Sequence, residues 1–392
     1  MTTIGLVLQN TSRVSETFFI SKIKILQELG YEVIVFTNKN QKNLKCKVIL
    51  NPKINKNIFF LLPRMIISYT ILFFQNPIIF IQFLKIEKSE GVYFIERWKN
   101  LYLNSNILKQ KLTWLHFGFT TNAIRRENVA KAIGAKMGVS FRGYDICIYP
   151  IINPSCYKGL WNKVDKIHSI SKDLLQSAKN QGLPNNIECV IINPAIDINY
   201  FRPKKKIKKN KNNSHKINFL TIARLHWKKG IDHTIRALAI LKEENIDFNY
   251  IVIGEGVERE RLIFSINQFG LDEDVTLLGS VPHHNTIDYY NNADIYIQYS
   301  IQEGFCNSVL EAQAMGLLTI VSNAEGLSEN VIDGRTGWVV PKREPELLAK
   351  QIKEVLNYDY SIKKDIQVQA QNRVKKYFNL IEQKKAFSKF FN

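Results

Sequence analysis

The chain has 392 residues, with 54 Lys and Arg against 35 Asp and Glu, a net charge of +19, and 45% hydrophobic and 11% aromatic side chains. That length exceeds one ordinary hydrophobic core and predicts two domains, while the apolar content excludes a disordered or fibrous protein. The basic surplus calls for an acidic partner: nucleic acid, an anionic membrane face or a phosphorylated small molecule.

The location of the charge narrows that choice. Residues 1–203 carry 27 basic and 12 acidic side chains, residues 204–216 carry seven Lys and no acid, and residues 217–392 carry 20 and 23. The surplus therefore belongs to one half and a connector, and no docking helix module or zinc spacing accompanies it. Cysteines at 46, 147, 156, 189 and 306 are odd in number and form no C-x-x-C pair. They favour reduced thiols in a cytosol-like compartment over a disulfide framework or metal site.

In chain order, MTTIGLVLQN lacks the positive region and long apolar run of a signal peptide and reads as a buried strand, Ile4–Leu8. A polar loop, Gln9–Thr17, an amphipathic helix ending at Gly30 and a strand at Glu32–Thr37 complete a βαβ start. Met65 to Leu84 is 20 residues long, enough to cross ~30 Å as a helix. Gln75-Asn76-Pro77 interrupts it, so the expectation is two apolar helices meeting at Pro77 and buried in a soluble domain. A membrane-dipping element is the alternative, supported by the flanking Lys53, Lys56, Arg64, Lys85 and Lys88, and a true span comes third. Gly91–Glu96, Lys111–His116 and Lys136–Phe141 follow as strand candidates.

The run KKKIKKNKNNSHK at 204–216 is a repulsive, solvated domain boundary. From Ile217 the alternation restarts, with strands at Ile217–Ala223, Asn249–Gly254, Val275–Gly279, Ile295–Tyr299 and Thr319–Ser322 separated by helices. From about Glu346 to Asn392 the pattern is helical, with an interruption at Tyr358–Ser361. The fold class expected is α/β, with two Rossmann-like doubly wound parallel sheets.

Ligands of such sheets bind beyond the carboxyl ends of the strands, where helix N-termini present free N–H groups to anions. Three loops of the second half fit: Arg224-Leu225-His226-Trp227-Lys228-Lys229-Gly230, Gly254-Glu255-Gly256, and Ser300 to Glu311. In the last, Glu303 and Glu311 are eight apart. Carboxylates accept paired hydroxyls, so one suits a sugar and the other a ribose, with phosphate at the helix start between them. Taken singly, Glu303 reads as a helix N-terminal charge and Glu311 as a solvated helix face.

ARLHWKKGIDHTIRAL, VIGEG and ADIYIQYSIQEGFCNSVLEAQAMGLLTIVSNAEGLSENVIDGRTGWVVP, in that order, closely resemble the donor-binding half of glycosyltransferase family 4. This is the retaining family of GT-B architecture, two Rossmann-like domains facing a central cleft. Ser15-Glu16-Thr17-Phe18, His116-Phe117-Gly118 and Ser140 to Ile146 are similar to its branch for exopolysaccharide, capsule and O-antigen or lipopolysaccharide assembly. The resemblance implies an acceptor-binding domain at 1–203, a Lys-rich linker at 204–216, a nucleotide-sugar domain at 217–370 and a helix at 371–392 packing back on the first domain.

Carried over to this chain, the resemblance implies that Arg224 and Lys229 bind the donor diphosphate and Glu303 the sugar hydroxyls. Gly304 and Phe305 would line the sugar pocket, and Glu311 would take the ribose. Gly254, Val281, Asn307, Ser308, Ser15, Glu16 and Thr17 complete the implied substrate contacts. Where many relatives carry a histidine, this chain has Arg142, which holds anions but is no general base; His116 is the alternative, balanced against a satisfied histidine ending a strand. Glu325-Gly326 departs from the paired glycines frequent in relatives.

The implied activity is metal-independent retaining transfer of a hexose-type sugar from a UDP- or GDP-sugar to a polyprenyl-diphosphate-linked or oligosaccharide acceptor, with no cofactor and no nucleic acid. The implied location is the cytoplasmic side, peripheral to the anionic inner-membrane surface. The competing readings are a nucleotide-sugar epimerase of the same fold and a basic nucleic-acid-binding protein.

Overall fold

The computed structural model describes residues 2–8, 17–39, 44–55, 57–203 and 216–392, apart from the side chain of Thr17. The polar loop expected after the first strand and nearly all of the Lys-rich connector lie outside these residues. The chain forms two compact units, one of Met1–Ile170, Leu174–Ile192 and Lys384–Asn392, the other of Ser171–Asp173 and Asn193–Gln383.

The first unit holds β1 (Thr3–Val7), α1 (Thr17–Glu28), β2 (Glu32–Thr37), β3 (Lys47–Leu50), α2 (Ile58–Gln75), α3 (Pro77–Ser89), α4 (Phe94–Leu108), β4 (Trp114–Phe117), α5 (Val129–Ile133), β5 (Lys136–Phe141), β6 (Lys166–Ser169), α6 (Lys172–Asn180) and β7 (Glu188–Ile191). Its seven strands are all parallel in the order β3-β2-β1-β4-β5-β6-β7. Runs such as Val33-Ile34-Val35-Phe36 are buried along their whole length, as a sheet covered on both faces requires.

Two expectations fail here. Gly91–Glu96 is no strand; Phe94 opens α4, whose Leu101, Tyr102, Ser105 and Leu108 recur at helical spacing on its buried side. The β-branched and aromatic run VYFIE is overridden by that longer period. The Met65–Leu84 helices are also not core. α2 and α3 do meet at Asn76-Pro77, but on α2 Leu72 is the one buried residue. Ser68 and Tyr69 face α4, bonding the Ser105 hydroxyl and the Trp98 carbonyl at 2.7 Å each, and the rest of the helix looks outward.

The second unit contains β8 (Ile217–Ile222), α7 (Ile231–Glu243), β9 (Phe248–Ile253), α8 (Arg259–Gln268), β10 (Val275–Gly279), α9 (Thr286–Asn292), β11 (Ile295–Gln298), α10 (Asn307–Ala314), β12 (Leu318–Ser322), β13 (Trp338–Val340), α11 (Pro345–Asn357) and α12 (Tyr360–Tyr377). Its parallel sheet runs β10-β9-β8-β11-β12-β13. This is the Rossmann order, with the reversal between β8 and β11, where such sheets open a crevice at their carboxyl ends. Phe219, Leu238, Tyr250, Val252, Ile297 and Ile320 anchor the core.

The final helix, α13 (Leu380–Phe391), ends inside the first unit. Phe390 and Phe391 pack on Trp114 at 5.9 and 5.6 Å between ring centroids, and Trp114 Nε1 donates to the Phe391 carbonyl at 3.1 Å.

Candidate active site

Four loops at the carboxyl ends of β8, β9, β11 and β12 are fastened to one another through backbone. Gly230, at φ 58°, caps the turn before α7, and a Cβ there would sit 2.1 Å from the Tyr299 carbonyl. The Ile301 amide donates to the Lys228 carbonyl at 2.7 Å. On the other side a Cβ on Gly326 would lie 1.8 Å from the Gly304 carbonyl, and the Gly326 amide donates to Glu303 O at 2.9 Å. Only glycine permits such approaches, so the loops bearing Lys229 and Glu303 are held in fixed register. Gly254, after β9, closes against the β8 loop in the same way.

Lys229 Nζ bonds Glu303 Oε2, which also accepts from Ser300 Oγ at 3.4 Å. Burial pushes the Lys229 ammonium down, but the Glu303 carboxylate and Cys306 outweigh it and hold the group above its ordinary value. The pair is thus a charged unit set into protein. The Glu303 amide donates to Glu325 Oε2 at 2.9 Å, and Glu325 Oε1 takes Lys342 Nζ at 3.1 Å. Arg224, at the same strand ends, is exposed.

Glu311 is not on a solvated face. It is buried in α10, with Oε1 on His283 Nε2 at 2.9 Å and Oε2 accepting from Tyr290 OH at 2.9 Å. The hydrogen bond to Glu311 raises His283 above the usual imidazole range. Ser308 donates to the Ile222 carbonyl at 3.1 Å and accepts from Tyr296 OH at 2.8 Å. Asn307 opens α10 beside it. The Phe305 ring is turned into the protein, 5.6 Å from that of Phe378. Val281 is half-buried in the loop after β10. His283, Tyr290 and Lys342 escape the sequence reading; the VPHHN turn one strand before Glu311 is the visible trace of the first.

In the first unit, His116 is not placed to meet a substrate. It is wholly buried in β4, with Nε2 at 2.9 Å from Lys22 Nζ and 2.8 Å from Ser140 Oγ, and Phe390 and Phe391 lie over its ring. Burial and Lys22 hold it well below the ordinary histidine value, so it is a neutral core histidine, and among the described residues its Nδ1 has no hydrogen-bond partner. Arg142 follows β5, its guanidinium 4.2 Å from the Phe18 ring centroid and its Nε, among the described residues, without a partner. Burial lowers it to about 10, so it stays cationic at neutral pH. Ser15 and Glu16 lie outside the described residues, and Thr17 begins α1. Among the described residues, no group of three His, Cys, Asp or Glu side chains is arranged to hold a metal.

Residues 203–376, which contain every one of these loops, match the family described as Glycosyl transferases group 1. That match lies within the second unit and spans under half of the chain. The chain is 25% identical over 67% of its length to WcaL of Salmonella typhimurium, named for colanic acid biosynthesis, and the match spans 66% of that relative, just under two thirds. It is 26% identical, over 64% of its length and 70% of the relative, to the N,N'-diacetylbacillosaminyl-diphospho-undecaprenol α-1,3-N-acetylgalactosaminyltransferase of Campylobacter jejuni. Among solved structures, HepE of Anabaena in complex with UDP and glucose superposes with a TM-score of 0.74 at 14% identity, covering 99% of both chains. The two parallel α/β units of this chain are those of the GT-B architecture.

Proposed function

We propose that this chain is a group 1 glycosyl transferase that moves a hexose-type sugar, with retention of anomeric configuration and without a divalent metal, from a nucleotide diphosphate sugar to a hydroxyl of a lipid-linked saccharide in surface polysaccharide assembly. The observation that carries the reading is the cation pair at the carboxyl end of β8: Lys229, charged and braced by Glu303, beside the exposed Arg224. Breaking the anomeric carbon–oxygen bond puts charge on the departing diphosphate, and fixed cations there lower the barrier as a metal would. Among the described residues Glu303 Oε1 accepts no hydrogen bond, and it suits a sugar hydroxyl.

On this reading no side chain acts as nucleophile. The leaving phosphate oxygen takes the acceptor proton on the face from which it departs, which delivers retention. UDP, the nucleotide in the HepE complex, is the first donor base to try, and GDP the second. The undecaprenol-linked acceptor in the name of the Campylobacter relative and the basic first half support a lipid-linked acceptor reached from the cytoplasmic membrane face. The test is proton NMR of the product formed with EDTA present. An anomeric coupling matching the donor's supports the proposal; inversion or loss of turnover with EDTA contradicts it. An epimerised donor formed without acceptor would replace it with the epimerase reading.

A further inference from the structure

The proposed chemistry uses nothing on the outer side of α2 and α3, yet this is the most apolar surface among the described residues. Phe59 and Phe74 are each 80% exposed, Ile78 is 76% exposed, and Ile66, Ile67 and Phe94 add to the same side of the first unit. Among the described residues, α2 alone is long and apolar enough to cross a membrane, with 6% of its residues buried. A contiguous apolar surface of this extent is far more than scattered exposed hydrophobics.

Its polar groups are arranged for an apolar neighbour. Ser68 and Tyr69 spend their hydroxyls inward on Ser105 and the Trp98 carbonyl, and Thr70 returns its own to the Ile66 carbonyl at 3.0 Å. Glu87, the one acid between residues 58 and 89, is turned in and held by Asn100 and Asn128 at 2.8 Å each. What remains outward and charged is Arg64, Lys85 and Lys88, with Lys53 just ahead. A face of aliphatic and aromatic side chains with cations and, from residue 58 to 89, no outward acid complements hydrocarbon beneath anionic headgroups.

We propose that α2 and α3 form an in-plane anchor whose outer face sinks into the acyl boundary of an anionic leaflet. The inner side of α2 is committed to α4, and Asn76-Pro77 ends the helix, so the pair lies in the leaflet and does not cross it. The exposed amides of Gln75 and Gln82 fit the ~5–10 Å depth at which such helices still reach headgroups. The inference deepens, and for its purpose rests on, the lipid-linked acceptor reading.

Flotation of the full chain with phosphatidylcholine vesicles, and with vesicles containing phosphatidylglycerol, tests it. The wild type is expected to float with the anionic vesicles and to lose less than about threefold of its binding in 0.5 M NaCl, because buried apolar area is not screened. Phe74→Glu with Ile78→Glu is expected to cut binding at least about tenfold at both salt levels. Both sites are exposed, so an unchanged melting temperature verifies the fold. Absence of flotation, flotation equal to wild type in the double variant, or a dimer that the double variant dissociates without vesicle binding overturns the proposal. A chain that floats but is stabilised by no nucleotide sugar sustains the anchor and removes the functional reading. One that transfers sugar to a water-soluble acceptor without floating removes the anchor alone.

Discussion

Lys229 and Glu303 cannot be judged by one substitution, because each neutralises the other inside the protein. Removing one partner of a buried pair strands the other charge at a cost of about 3–5 kcal/mol. Lys229→Ala should therefore lower both stability and turnover, whereas Lys229→Ala with Glu303→Gln should recover melting temperature without recovering activity. Arg224 is exposed and separates the two effects. Arg224→Ala should keep its melting temperature and lose at least ~2 kcal/mol of transition-state stabilisation, about thirtyfold in kcat/KM; unchanged kcat/KM would remove Arg224 from the site. The His283–Glu311 contact carries a pH signature. Because Glu311 raises His283 in the folded state, its stabilisation is complete below the unfolded histidine value, about 6.5, and fades as pH rises through the raised folded value. His283→Ala should thus lower the melting temperature more at pH ~5.5 than at pH ~8.5; an equal loss at both would mean the pair is not charged.

At the scale of elements, glycine contacts decide whether the loops can hold the site. Gly326→Ala puts a methyl 1.8 Å from the Gly304 carbonyl and must displace the segment that carries Glu303. Kinetics should show a loss of turnover on the order of tenfold or more, since a shift near 1 Å costs up to about a hundredfold. The last helix is a structural part of the first unit: Phe390→Ala removes a wholly buried ring over Trp114 and His116 and should cost about 3–5 kcal/mol in denaturant melts.

Elements with long apolar strands or strong helical period were legible in the sequence: Glu32–Thr37, Lys136–Phe141 and Val275–Gly279 run as read. β3, β6, β7 and β13 were missed because three or four residues such as KIHS or ECVI carry too little pattern. α2 was placed in the core because composition reports how apolar a helix is and says nothing of what covers it. Arg224 and Lys229 were legible as residues following a strand. The partners of Glu311 were not, since His283 and Tyr290 reach it only through the fold.

On the scale of the whole molecule, the net charge of +19 no longer calls for nucleic acid. The half that matches the group 1 family carries the slight acidic excess, and the proposed chemistry asks only for a few cations at strand ends. The basic half carries the outward apolar helices with their cationic rim. Charge and apolar surface thus speak for location, and the loops after β8 and β11 for reaction. Nucleoside diphosphate release from a panel of UDP- and GDP-sugars, with a lipid-linked saccharide acceptor and EDTA present, tests the central claim most directly. The account predicts acceptor-dependent release from one donor, lost by at least about thirtyfold in Arg224→Ala. Release that ignores the acceptor, or that survives intact in Arg224→Ala, would contradict it.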